Sequence, residues 1–529
     1  MNFYTAAQMK AMDKYAVEHG TPGTVLMENA GDAVVRVLRL FVCELGNKSV
    51  LVLSGTGNNG GDGFVAARLL KQFCKSIAVA VPLGLPKSAE AAEMYRKLSG
   101  ITIIEDYNET LEEAEKSDIV IDAVYGTGFN GALTDKMREL FSKINRMNNV
   151  VVISIDVPSG VCADSGNVDC AVRADYTISL VALKYCHYLF PASEYCGHVT
   201  IADIKMPQEA ISSQTCASFL SDQLFVDGKI PFRRRNTHKG TYGTLACVCG
   251  SYGMTGAAYM SVCAAVRTGA GLVVLFVPDC IHDVLSVKLT EPILKKYPSA
   301  DETSRYSYIY DISKECNKGN GCLIGCGLGR SADSKFLVEQ LVESCLCPIV
   351  LDADGIYAIR HRKDLIKNRR NSTVVTPHPG EMAMLLGITV NEVESNRIDI
   401  ARSFSREYNC TLVLKGAYTV ISSPSGEIYI NPTGNPGLSK GGSGDVLAGI
   451  ISSLIVQGLE PFYAAVCGVY IHGAVGDMCA DKISEYGMTA SDLLHYLPRY
   501  LRRYNADMCK TRSLLTHPDA KREEVDKDI

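Results

Sequence analysis

The chain has 529 residues, 47 % of them hydrophobic, with a formal net charge of −5; that length favours more than one domain, and the apolar content is enough for full cores. Acids in slight excess and the absence of a long basic run exclude nucleic acid as the main partner, so small anions have to be held by local geometry. The start of the chain carries no signal pattern and no apolar run approaches membrane-spanning length, so the expectation is a cytoplasmic protein with no membrane partner, whose twenty cysteines stay reduced.

In chain order, "TAAQ" (Thr5–Gln8) reads as a helix capping box. The runs "SVLVLSG", "SIAVAVPL", "SDIVIDAV", "VVISIDV" and "DYTISLVA" read as strands, separated by stretches of helical period such as "DGFVAARLLKQF". This alternation marks parallel βαβ units. "SGTGNNGGDGF" contains a G-x-G-x-x-G (Gly55, Gly57, Gly60) between a strand and a helix. A dinucleotide seat also needs an acid at the end of the next strand, but that strand ends on Pro82 and Leu83, so a standard redox-cofactor site is not expected. The loop adds Asn58, Asn59 and Asp62, polar groups that a pyrophosphate turn does not require.

Two further strands end alike: "VIDAVYGTGFNGA" places Asp122 before a glycine loop, and "ISIDVPSG" places Asp156 just before Ser159. Any one of these acids could equally be a helix cap or turn former. Three at successive crossovers lie where open parallel sheets bind ligands. Asn59, Asp122 and Ser159 offer hard oxygen ligands for potassium or magnesium, which leaves Asp156 free as an acid/base.

Between Met206 and Arg235 the pattern becomes polar, irregular and proline-punctuated. The expected organisation is a domain at 1–212, a linker at 213–235, a second domain at 236–507 and a charged tail at 508–529. The second domain repeats the α/β pattern with "GTLACVCG", "GLVVLFVP", "GCLIGCG", "PIVLDAD", "STVVTP" and "TLVLKG". Cys247/Cys249 and Cys345/Cys347 lack zinc-site spacing and read as small core residues. "NPGLSKGGSGDVLAGI" (Asn435–Ile450) sets glycines and Asp445 ahead of a helical apolar run. Such a helix start exposes N–H groups to an anion, so this stretch reads as a phosphate seat carrying one carboxylate.

"GNNGGDG", "DAVYGTG" and "IDVPSG" resemble the epimerase domain of the NAD(P)H-hydrate repair enzymes. "HKGTYG", "GCGLG", "LDAD", "TPHPGE", "VLKG" and "GGSGDVLAG" resemble their ADP- or ATP-dependent dehydratase domain, and order and length match the fused bacterial form. The resemblance implies an α/β protein, with an N-terminal Rossmann-like doubly wound domain and a C-terminal ribokinase-like αβα domain. It implies repair of NADH hydrate and NADPH hydrate: epimerisation at C6, then ADP-dependent dehydration of the S epimer. A homo-oligomer is expected.

By the same resemblance, Asn58, Asn59, Gly60, Gly61, Asp62 and the loop Gly126, Thr127, Gly128, Phe129, Asn130, Gly131 and Ala132 bind substrate beside the catalytic Asp156. Potassium sits on Asn59, Asp122 and Ser159. In the second domain Ala257, Gly327, His378 and Asp445 face the hydrate, with Asp445 the base. Lys415, Gly416, Ala417, Tyr418, Thr419 and Gly444 take the adenine nucleotide, ADP or ATP, while Asp352, Asp354 and Glu381 organise magnesium. Family members often carry a lysine soon after the second strand; here Lys87 is displaced and stays outside the catalytic set. A hydroxymethylpyrimidine-type kinase shares the glycine-plus-Asp seat but leaves the first domain unexplained. A nucleotide-sensing binding protein would not need Asp156 and Asp445 at their motif positions.

Overall fold

The computed structural model describes residues 1–298 and 305–504, so the tail expected at 508–529 lies outside the described residues. Two compact units divide the chain, Met1–Phe219 and Leu220–Ile529.

The first unit holds β1 (Ser49–Ser54), β2 (Ser76–Ala80), β3 (Thr102–Ile104), β4 (Ile119–Ala123), β5 (Val151–Ile155), β6 (Tyr176–Leu180) and β7 (His198–Ala202). They form one sheet in the order β3-β2-β1-β4-β5-β6-β7, every pair parallel. β1 and β4 are buried along nearly their whole length, as central parallel strands covered on both faces must be. The order reverses between β1 and β4, so the carboxyl ends of β1, β4 and β5 open onto one crevice. The Thr5 box forms as expected, with the Gln8 N–H on the Thr5 hydroxyl (3.2 Å) and the Thr5 N–H on the Gln8 carboxamide (3.0 Å).

The expected linker is largely ordered. It contains β8 (Ser218–Leu220) and a helix, Gln223–Lys229. The polar Asp222 is this helix's cap, accepting the Phe225 N–H at 2.8 Å, and Val226 is its buried anchor.

The second unit contains β9 (Thr244–Val248), β10 (Leu272–Pro278), β11 (Ile293–Tyr297), β12 (Gly321–Ile324), β13 (Ile349–Leu351), β14 (Thr373–Val375), β15 (Thr411–Leu414), β16 (Val420–Ser422) and β17 (Ile428–Ile430). They run in the order β11-β10-β9-β12-β13-β14-β15-β16-β17. β9 to β15 pair in parallel, and β16 and β17 add an antiparallel end. The strand order reverses beside β9, and the ends of β9, β12, β13, β14 and β15 converge there.

Helix Ser443–Val456 is buried at nearly every position, so it reads as apolar all round rather than as a stripe. Helix Pro461–Lys482 has a mean hydropathy of 1.2 over its most apolar window, but 72 % of that window is buried inside the protein, as in a core helix. Gly449 makes a close helix crossing possible: a Cβ built there would lie 2.1 Å from the Ser261 carbonyl oxygen. Neither backbone can yield without shifting a helix. Gly449→Ala is therefore expected to destabilise this unit by about 1–3 kcal/mol. Urea titration followed by circular dichroism measures it; an unchanged midpoint would disprove the close crossing.

Candidate functional site

The β5 chain turns sharply at Asp156, which adopts a left-handed φ of 69°, a strained conformation that asparagine and aspartate tolerate best. Its carboxylate Oδ1 accepts the Leu180 N–H (3.0 Å) and the ammonium of Lys184. Lys184 is fully buried and also donates to the Leu180 carbonyl (2.8 Å) and the Ser179 hydroxyl (3.2 Å). His187 takes the Lys184 N–H on Nδ1 (3.2 Å), so its Nε2–H donates to the Asp156 carbonyl (3.0 Å). Burial, and secondarily the Lys184 charge, push His187 down to about 4, which keeps it neutral.

Asp62 is buried, and its carboxyl is pushed well up by that burial, then by Asp156 and Asp13. Asp13 is raised by desolvation first and Asp156 second, an effect softened by screening because its side chain is exposed at the rim. The motifs named Asp62 and Asp156 but missed Lys184, His187 and Asp13. A lone lysine in the apolar stretch "SLVALKYCHYLF" was the available signal.

The glycine loop is shaped by packing. A Cβ on Gly60 would meet the Gly55 carbonyl at 2.0 Å, so these glycines let the helix Asn58–Leu70 start close against the strand ends. Gly126 brings its loop against Asn59, its ideal Cβ 3.1 Å from the Asn59 Cβ. Asp122 is fully buried and accepts the Ser154 hydroxyl (2.8 Å), the Ser159 N–H (2.8 Å) and the Ser159 hydroxyl (2.5 Å). The Asn59 carboxamide Nδ2 is buried without a hydrogen-bond partner. Asn58, Gly128 and Asn130 to Ala132 are exposed and Phe129 is half-buried, and a cavity of about 340 Å³ adjoins Phe129, Asn130, Gly131, Gly160 and Cys162. Asp156 does not line that cavity. The Lys87 N–H donates to the Thr56 carbonyl (2.8 Å), which brings the displaced lysine's backbone to the glycine loop.

In the second unit, Asp445 lies in the first turn of helix Ser443–Val456, whose N-cap Gly442 (φ 94°) has no side-chain cap. Burial, then Asp352, pushes its carboxyl up to about 6, against a hydrogen bond from Cys326 and the charge of Lys415. Lys415 bridges Asp352 (2.9 Å) and Glu381 (3.9 Å), and a Cβ on Gly444 would lie 3.5 Å from its Nζ. Burial works to lower the lysine, but Asp352 and Glu381 outweigh it and its value rises.

Arg397, also unforeseen, is buried and donates to the carbonyls of Leu414 (2.9 Å) and Lys415 (3.1 Å), fixing the turn into Gly416. Thr419 closes that turn on the Gly416 carbonyl (2.9 Å), while Tyr418 takes a left-handed φ of 54°. Ala257 and Gly327 meet: a Cβ on Gly327 would be 2.8 Å from that of Ala257.

His378 caps helix Pro379–Leu386. Its Nδ1 accepts the N–H groups of Gly380 (3.1 Å) and Glu381 (3.3 Å), and Glu381 returns the bond to the His378 N–H (2.9 Å). Its side chain stays exposed, with Nε2 3.4 Å from Glu381 Oε1. Asp354 holds the Gly329 N–H (2.8 Å) and Arg330 (3.1 Å), so it braces the glycine loop, and its charge still reaches Asp445. The arrangement offers a carboxyl raised to about 6 at an open helix start, beside a lysine paired with Asp352.

Residues 23–186 match the family described as YjeF-related protein N-terminus, and residues 245–499 match the NAD(P)H-hydrate dehydratase family. The bifunctional NAD(P)H-hydrate repair enzyme Nnr of Moorella thermoacetica is 36 % identical over 520 residues, covering 96 % of this chain and 98 % of that protein. The Escherichia coli protein of the same name is 33 % identical over 484 residues, covering 90 % and 88 %. Among solved structures, an ADP/ATP-dependent NAD(P)H-hydrate dehydratase from Bacillus subtilis, co-crystallised with ATP/Mg2+, is 30 % identical and covers 54 % of this chain and 99 % of its own, with a TM-score of 0.47. The similarity to the full-length relatives runs through both units with both sets of motifs in order, and the chain belongs to the family of bifunctional NAD(P)H-hydrate repair enzymes.

Proposed function

We propose that the first unit epimerises the R and S hydrates of NADH and NADPH at C6, and that the second dehydrates the S epimer with ADP, releasing AMP and phosphate. Full-length relatives carrying that name support it, and the observation that carries it is Asp445 at the uncapped helix start beside the Asp352–Lys415 pair. Hydroxide is a poor leaving group; the nucleotide, when bound, supplies the phosphoryl group that makes it a good one. Asp445 takes the hydroxyl proton. The N–H groups about Gly441, Gly442 and Gly444 stabilise the phosphoryl charge, and Lys415 to Thr419 hold the nucleotide. Burial first, and Asp352 behind it, raise the Asp445 and Glu381 carboxyls, and magnesium, when bound, would favour their ionised forms.

In the first unit Asp156 moves the proton that opens and recloses the carbinolamine, Lys184 holds its carboxylate, and Asn58 to Asp62 with Gly126 to Ala132 seat the ring. Asn59, Asp122 and Ser159 are the residues that would hold potassium, Asp122 and Ser159 being already joined by a hydrogen bond; when bound it would order the two loops. Exchanging potassium for lithium is expected to slow R-epimer consumption alone; equal loss of S-epimer dehydration would argue against that site. The domains at 1–212 and 236–507, a homo-oligomer and a cytoplasmic location belong to the same reading.

Hydrated NADH lacks the absorbance of reduced nicotinamide, so its return with ADP or ATP tests the class and the donor together. No return with either nucleotide refutes the proposal. Asp445 must be ionised to act, and with its carboxyl raised to about 6 the dehydration rate climbs as pH rises through that value and levels above it. Saturating turnover measured between about pH 5 and 8 checks this; a flat profile would remove Asp445 from the base role.

A further inference from the structure

We propose that Cys326, Asp352 and Asp445 form a site for a thiophilic divalent cation, zinc or cadmium, inside the dehydratase centre. One ligand atom from each lies within 4.8 Å of the other two. Cys326 Sγ is 3.7 Å from Asp352 Oδ2; a tetrahedral zinc ion with bonds of about 2.3 Å to sulfur and 2.0–2.2 Å to oxygen holds those atoms about 3.5–3.7 Å apart. Asp352 is already aimed. Its Oδ1 is taken by Lys415 (2.9 Å) and the Thr376 hydroxyl (2.6 Å), which leaves Oδ2 on the thiol side.

Three protein ligands leave a fourth position open. Magnesium prefers oxygen throughout, so the sulfur selects the softer ions. Cys326 and Asp352 are buried and Asp445 half-buried, so the ligands sit in a low-dielectric setting with more negative than positive groups around them. On binding, the thiol S–H breaks, sulfur bonds the metal and the proton goes to solvent. The ion then occupies the Asp445 carboxylate and blocks dehydration; that consequence rests on the proposed role of Asp445, while the binding does not.

Zinc X-ray absorption on the full chain with one equivalent of metal tests the site, together with cadmium titration read by the sulfur-to-metal charge-transfer band. The expected shell is one sulfur at about 2.3 Å with oxygens at about 2.0–2.2 Å. Cys326→Ser should remove the sulfur and weaken cadmium binding about tenfold or more, and Asp445→Asn should weaken it by a similar factor. Zinc should inhibit dehydration in the wild type, and Cys326→Ser should raise the inhibitory concentration about tenfold. A shell of several sulfurs would place the ion at the Cys316–Cys322 pair and its neighbour Cys345, and a shell without sulfur would place it on oxygen ligands alone; either overturns the proposal. So does cadmium binding unchanged in both variants. Binding that needs Cys326 but leaves turnover intact would uphold the site and refute Asp445 as the base.

Discussion

Asp445→Asn lowers the dehydration rate by about 10²–10⁴-fold, the usual contribution of a positioned base, while nucleotide affinity stays nearly unchanged. The amide keeps the shape of the helix start but cannot take the hydroxyl proton. Asp445 supplies no part of the 2.9 Å pair between Lys415 and Asp352, so that pair is expected to persist in the variant. Return of nicotinamide absorbance from the S hydrate gives the rate, and calorimetric titration with ADP gives the affinity. Turnover within about tenfold of the wild type would rule out the base role.

The second large effect separates the two units by stereochemistry. Given a mixed-epimer hydrate, the wild type restores all of it. A variant without the first acid/base recovers only the S fraction, plus whatever inverts spontaneously. Removing Asp156 alone would leave the Lys184 ammonium buried without its carboxylate, a loss of about 3–5 kcal/mol that would confuse misfolding with lost chemistry. Asp156→Asn combined with Lys184→Met removes charge from both partners and keeps the volume. Its R-epimer consumption is expected to fall about 10²–10⁴-fold with S-epimer dehydration unchanged. Chromatography of both epimers over time decides it. Equal R consumption in variant and wild type would show that the first unit is not the epimerase.

Lys184 shows why such a pair escapes a linear reading. Its sequence neighbours are apolar, and its partner Asp156 lies 28 positions away, so only the return of the chain from β6 creates the contact. Cys326 is similar. Within "GCGLG" it reads as a small filler, and its relation to Asp352 and Asp445 depends on three strand and helix ends meeting. The helix Gln223–Lys229 inside the expected linker escaped the linear reading for another reason: a seven-residue helix with one buried anchor, Val226, has too little apolar period to stand out.

The sequence by itself determined the αβ alternation, the central strands β1, β4, β5, β9 and β12, the helix start at Asp445 and the family likeness. Each of these is written in residues close together: continuous apolar runs for buried parallel strands, and glycines set against a capping position. Tertiary structure alone decided the edge strands β3, β7 and β11, which are short or alternate with polar residues because one side is less covered. It also decided which carboxyls are raised and which are paired. Asp62 and Asp445 are raised first by burial and then by carboxylates brought from other segments, and Asp352 meets Lys415 across 63 positions. Local spacing sets where a chain turns, but desolvation and charge pairing are properties of the packed interior, and they exist only once distant segments share it.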